Sequence, residues 1–245
     1  MSNAFPGAHN PIMTVNSIPL DWQRLAADLR STGNAVIPGL LTPAQCGAVA
    51  GLYDEAAPFR SRVVMQRHNF GRGEYKYFAY PLPRLVAELR TALYPPLARI
   101  ANEWNTQMGE AVRYPEALEE FLARCRVAGQ ARPTPLLLKY QQGDYNCLHQ
   151  DLYGEHVFPL QVTCLLSRPD EDFTGGEFVL TEQRPRMQSR AEVVPLRQGD
   201  AVIFAVRQRP VPGTRGFYRV NLRHGVSRLR SGQRYTLGMI FHDAQ

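Results

Sequence analysis

At 245 residues, 44% hydrophobic and 20% charged, the chain has the size and composition of a folded protein of one large domain or two small ones, which excludes a disordered or fibrous chain. No apolar run approaches the roughly 20 residues that span a bilayer, and the opening residues lack the charged-then-apolar pattern of a secretory signal; no membrane partner and a cytoplasmic location are expected. The net charge of +6 is uneven: between Thr181 and Arg234, twelve arginines stand against Glu182, Glu192 and Asp200. Such a concentration steers an anionic partner, although a codon supply that favours arginine wherever a solvated cation serves explains it more simply.

Residues 1–20, with Gly and Pro among them, read as a flexible tail, and 21–245 as a single domain. Its first part, 21–134, is a helical lead-in. Asp21 can cap a helix over Trp22–Leu29 that Gly33 ends, and Asn34 to Pro38 reads as a short strand. Thr42-Pro43 starts a second helix, since Thr caps well and Pro suits the first turn. The aromatic stretch His68 to Tyr80 is expected to be extended, with His68, Asn69, Phe70 and Tyr75 to Phe78 as candidates for covering a substrate. Leu82 to Trp104 and Tyr114 to Arg126 carry the spacing of two long amphipathic helices. From Pro135 the texture changes to short strands separated by Gly, Pro and Asp: Leu136–Tyr140, Val157–Leu166, Gly175–Leu180, Val193–Leu196, Ala201–Ala205, His224–Arg228 and Tyr235–His242. Helices followed by clustered strands predict an α+β fold whose β part, 135–245, closes as a sandwich or barrel. The cysteines Cys46, Cys125, Cys147 and Cys164 form no C-x-x-C pair and are expected as reduced, mostly buried thiols, not as a zinc or disulfide framework.

The chemistry sits in four residues. His149-Gln150-Asp151 precedes His224 by some seventy-five residues, and Arg234 follows ten later. In extended chain, i and i+2 share a face, so His149 and Asp151 can converge on one ion while Gln150 points away. His224, near the start of a late strand lying alongside, would add the third donor. Two imidazoles and a carboxylate hold divalent iron on one face and leave other positions open for reactants. Arg234, Thr236 and Gly238 share a face of the next strand; buried there, the guanidinium demands an anion, and a dicarboxylate co-substrate would supply it in a forked pairing. His156 and the His242-Asp243 pair are set aside as non-ligands, the first in a loop and the second close to the terminus.

The pattern Tyr140-x-x-Gly143, His149-x-Asp151, Gly175-Gly176-Glu177, Gly199-Asp200-Ala201, His224-x-Val226 and Arg234-x-Thr236 resembles the iron(II)/2-oxoglutarate dioxygenases of the prolyl-hydroxylase-like kind, over roughly Leu136 to Asp243. More narrowly, Glu182 to Arg190 and Arg223 to Ser227 resemble a bacterial family labelled as oxygenases acting on damaged DNA. The resemblance implies a double-stranded β-helix (jelly-roll, cupin-like) core with N-terminal helices packed on it. It implies Fe(II) on His149, Asp151 and His224 as the catalytic centre. It also implies 2-oxoglutarate held by Arg234 and Tyr140, with Thr163 or Thr236 helping, and O2 as oxidant. Gly175, Gly176 and Gly199 would be turn or close-approach positions.

The expected reaction oxidises a substrate C–H bond, by hydroxylation or oxidative demethylation, with release of succinate and CO2. Nucleic acid is one candidate substrate, through the arginine-rich, aromatic-interleaved segments Arg184–Arg190 and Arg207–Arg223. Peptides and anionic metabolites suit the same cations. The second arginine a few residues beyond the first, usual in nucleic-acid demethylases of the superfamily, is missing after Arg234, and so is their Asn-x-Tyr element before H-x-D. A non-oxidative, cupin-like metal enzyme and a catalytically silent nucleic-acid-binding barrel are the alternatives; Arg234 argues against the first and the intact ligand set against the second.

Overall fold

Helix boundaries follow local chemistry. In the computed structural model, which describes residues 20–245, α1 runs Trp22–Thr32, with the Asp21 carboxylate accepting from the Arg24 N–H at 3.0 Å and Gly33 leaving the helix at φ 81°. All but Leu20 of the expected tail lies outside the described residues. Helix α2, Pro43–Gly51, opens on a capping box between Thr42 and Gln45. Helix α3 spans Arg84–Gln107, and α4 spans Leu118–Val127. Helix α4 begins four residues later than its spacing predicts because Tyr114 is fastened elsewhere. Its N–H donates to the Asn102 side chain and its hydroxyl to the Val157 carbonyl, both at 2.8 Å.

The described residues also form fourteen strands: β1 Asn34–Ile37, β2 Phe59–Val64, β3 Gly71–Arg72, β4 Glu74–Phe78, β5 Leu136–Gln141, β6 Tyr145–His149, β7 Leu160–Leu165, β8 Phe173–Gly175, β9 Phe178–Gln183, β10 Arg190–Val194, β11 Ala201–Ala205, β12 Gln208–Gly213, β13 Gly216–Val226 and β14 Leu229–Met239. They form two antiparallel sheets. One runs β1-β11-β7-β14-β5-β4-β2 with β8 on β14; the other runs β10-β9-β13-β6-β3 with β12 on β13. The lead-in is thus less helical than its sequence suggests. Strand β4 pairs with β5, and β3 with β6, so the lead-in supplies sheet edges as well as helices. The main core joins the buried faces of all four helices to the first sheet, through Leu25, Val49, Leu93, Trp104, Phe121, Leu137, Val162 and Ile203 among others. Among the described residues no helix is long and apolar enough to cross a membrane. All four cysteines are free, and Cys147 alone of them is exposed.

Candidate active site

Pairing of β13 with β6 sets His224 directly opposite His149. Their rings stand 4.2 Å apart, centroid to centroid. Asp151 lies two residues beyond His149, just past the end of β6, and reaches both rings: its two oxygens are each 3.4 Å from one Nε2. Among the described residues these three side chains form the group that could hold a metal ion, with their donor atoms all within 4.8 Å of one another. Two donors each about 2.1 Å from a common ion lie about 3.0–3.4 Å apart, so the spacing fits a first-row divalent metal. His224 sits near the end of its strand, not near the start, because β13 begins eight residues before it, at Gly216.

Tautomer and charge suit ligation. His149 Nδ1 is 2.8 Å from the Cys147 carbonyl; a carbonyl only accepts, so Nδ1 carries a proton, and Nε2, on the Asp151 side, is the nitrogen left to meet a metal. Burial would raise the Asp151 carboxyl, but the two imidazoles outweigh it and hold the group well below the usual carboxylate range. Burial, opposed by Asp151, leaves His224 below its ordinary value, and its ring is wedged 4.6 Å from Phe204. Gln150 points away as expected, its amide donating to the Leu222 carbonyl at 2.7 Å. His242 and Asp243 are spent elsewhere: His242 Nδ1 accepts from the Phe158 N–H, and Asp243 pairs with Arg90.

The triad opens into a cavity of about 140 Å3 between the two sheets, whose wall includes Tyr140, Thr163, Arg234 and Thr236. Register places them: Arg234 faces Tyr140 across β14 and β5, and Gly238 faces Thr163 across β14 and β7. Arg234 is 1% exposed, yet its Nε and one terminal nitrogen have no hydrogen-bond partner, nor has the Tyr140 hydroxyl. Burial pulls the guanidinium down to about 10 and pushes the Tyr140 phenol up. Unpaired donors on a buried cation are costly, and they point to an anionic ligand in this cavity. Gly176 has φ 65°, and a Cβ there would meet the Leu229 side chain and lie 3.1 Å from Arg234 Cδ, a close approach that a larger residue would disturb.

Sequence reasoning missed Gln161, whose amide nitrogen is buried without a partner and which lines the same cavity. The signal was present: Gln161 and Thr163 are i and i+2 in an otherwise apolar run, hence on one face. Tyr75 and Tyr77, expected as substrate cover or as sheet, belong to β4 and line the cavity. The arginine-rich segments divide in two. Arg184 and Arg209 share Glu182, and Arg219 pairs with Glu110. Among the described residues Arg186, Arg207, Arg215 and Arg223 form no ion pair.

A protein of Mycobacterium tuberculosis, known as an uncharacterized protein in strains CDC 1551 / Oshkosh and ATCC 25618 / H37Rv, is 52% identical over 167 residues, 68% of this chain and 72% of the relative. Among solved structures, a 2OG-Fe(II) oxygenase family oxidoreductase from Burkholderia pseudomallei aligns with a TM-score of 0.55 at 16% identity, covering 91% of this chain and 92% of the other. A Pseudomonas putida prolyl-4-hydroxylase aligns with a TM-score of 0.52 at 13% identity, over 91% and 99%. At such identities the likeness is one of fold. The family model for an oxygenase catalysing oxidative methylation of damaged DNA matches residues 73–244. The chain therefore belongs to that oxygenase family and is an oxidoreductase.

Proposed function

We propose that the protein is an Fe(II)- and 2-oxoglutarate-dependent dioxygenase, with residues 21–245 acting as one domain and the two sheets as a double-stranded β-helix core. His149, Asp151 and His224 would hold the iron, which with 2-oxoglutarate and O2 supplies the oxidising power for C–H cleavage and leaves succinate and CO2. Arg234 would take the distal carboxylate of 2-oxoglutarate, Tyr140 would donate its hydroxyl to the same group, and Thr163 and Thr236 would line its path. The apolar wall of Leu136, Leu138, Phe178 and Phe204 would keep bulk water from the reacting centre.

The observation that carries this reading is the pairing, in one cavity, of a donor set spaced for a metal with a buried arginine whose donors lack a partner. The family's description favours damaged nucleic acid as substrate, and the unpaired arginines suit its phosphates. The test is direct. With ferrous iron, the purified protein should turn 2-oxoglutarate into succinate slowly even without substrate, and His149→Ala or Asp151→Ala should abolish both iron binding and succinate. Succinate formation that persists in both variants would overturn the assignment.

A further inference from the structure

We infer that the end of this cavity farthest from Arg234 is a substrate subsite for an uncharged amide group, and that Gln161 is the side chain that selects it. The inference deepens the dioxygenase reading and rests on it, since it gives the Arg234 end to 2-oxoglutarate.

Strand register sets out the cavity floor in order. Along β14, Arg234, Thr236, Gly238 and Ile240 all line it, as alternate residues on one face do. Arg234 lies opposite Tyr140, and Gly238 opposite Thr163. Met239 lies opposite Val162, so Gln161 comes level with Ile240, one residue farther on. The six residues from Arg234 to Ile240 correspond to about 20 Å of extended chain. A five-carbon diacid anchored at Arg234 does not fill that length. On the other side of β7, Gln161 lies opposite Phe204 of β11, whose ring is 4.6 Å from that of His224. The Gln161 end of the cavity therefore adjoins a metal-ligand candidate.

The chemistry of that end is specific. Gln161 is 4% exposed, and its amide nitrogen has no hydrogen-bond partner, a cost that a bound acceptor would remove. Apart from the two imidazoles, the charged side chains in the cavity wall are Asp151 and Arg234. Asp151 lies between the imidazoles, and Arg234 stands at the opposite end. Around Gln161 the wall is Phe204 and Ile240, with Tyr77 next to them, placed by its pairing with Leu136, which faces Gly238. A carboxylate or an ammonium would lose its water there with no counter-ion to replace it. An ion held by the triad would repel the ammonium further. A carboxamide carries an acceptor oxygen beside its donor nitrogen, so its complement is another neutral amide. The aromatic walls favour a flat one.

The test is calorimetric titration of the full chain, loaded with Zn(II) as a redox-inert stand-in for iron, with three flat probes of one size: benzamide, benzoate and benzamidine. Benzamide should bind with and without 2-oxoglutarate, and more tightly than benzamidine. Benzoate should bind only without 2-oxoglutarate, because it competes for Arg234. Gln161→Leu should weaken benzamide at least roughly fivefold, by stranding its carbonyl, with 2-oxoglutarate affinity unchanged. Unfolding of that variant in urea should come at the parent's denaturant concentration or higher, which a glutamine serving only the fold would not allow. Gln161→Glu should reverse the order of benzamide and benzamidine. Failure of benzamide to bind the parent, its displacement by 2-oxoglutarate, or equal affinity in Gln161→Leu would each overturn the inference. Benzamide binding that depends on Gln161 in a protein that binds no 2-oxoglutarate and forms no succinate would leave the subsite standing and sink the dioxygenase reading.

Discussion

Two arginines are buried to the same degree and treated in opposite ways. Arg90 on α3 and Arg234 on β14 are each 1% exposed. Arg90 is fully partnered: it donates to Asp243 at 2.8 Å, to the Tyr80 hydroxyl and the Ile240 carbonyl at 3.0 Å, and more distantly to the His242 carbonyl. It clasps the end of the chain to the helical layer. Arg234 has no such partners, and the cavity beside it also holds the metal-ligand candidates. A buried charge that the fold satisfies is architecture. One that the fold leaves unsatisfied calls for a partner that the fold itself does not supply.

The contrast breaks most visibly at Arg90. Arg90→Leu strands the Asp243 carboxylate without its cation, and removing one partner of a buried pair costs about 3–5 kcal/mol. Urea unfolding should show that loss, with the co-substrate dependence of the remaining folded enzyme unchanged. A loss below about 1 kcal/mol would mean that the clasp contributes no more than an exposed pair does.

Arg234→Leu should behave in the reverse sense. Without 2-oxoglutarate the variant should unfold at a denaturant concentration equal to or higher than the parent's, since an unpartnered buried cation is gone. With iron and 2-oxoglutarate at a hundred times its dissociation constant, the parent should gain about 2.7 kcal/mol by mass action and the variant little. The order of stabilities then crosses. Loss of the charge-assisted bonds, about 1.5–3 kcal/mol, corresponds to a co-substrate requirement raised roughly 10- to 150-fold. Equal stabilisation of both proteins by 2-oxoglutarate would remove Arg234 from its assigned role.

The same contrast marks what a sequence discloses. His149, Asp151, His224 and Arg234 were legible because their chemistry is rare in combination and their spacing is interpretable without a fold. The Arg90 clasp was not: its acid lies 153 positions away, and an arginine inside an amphipathic helix reads as a solvated face. Strand β12 was hidden because Pro210 and Pro212 read as strand breakers, yet among the described residues β12 is an outer strand that pairs only with β13, where a missing N–H is tolerated. The length of β13 was underestimated for a related reason. Its exposed Phe217, Arg219, Asn221 and Arg223 alternate with buried Val220, Leu222 and His224, but Arg219 and Arg223, following Arg215 and Gly216, resemble a charged loop. Asp151 reaches His149 and His224 from beyond the strand end, so the i, i+2 argument describes the geometry of that pair incompletely.

The smallest expected effect sharpens the comparison furthest, because it changes one atom. Tyr140→Phe removes the hydroxyl that lies buried beside Arg234 without a partner, its ring 5.7 Å from the guanidinium, and leaves that ring packed with Phe173 and Leu229. If the hydroxyl served the fold, its loss would destabilise the protein by about 0.5–1.5 kcal/mol, as for an ordinary hydrogen bond. An unpartnered hydroxyl predicts the opposite sign: the unliganded variant should be as stable as the parent or more so. The hydrogen bond should instead be missed only when 2-oxoglutarate is bound, raising the co-substrate requirement roughly 2- to 12-fold. Titration of iron-loaded enzyme with 2-oxoglutarate, alongside urea unfolding without it, separates the two. A variant that is less stable but unchanged in its co-substrate requirement would return Tyr140 to the core, and would leave the neighbouring guanidinium as the cavity's one assigned anion contact.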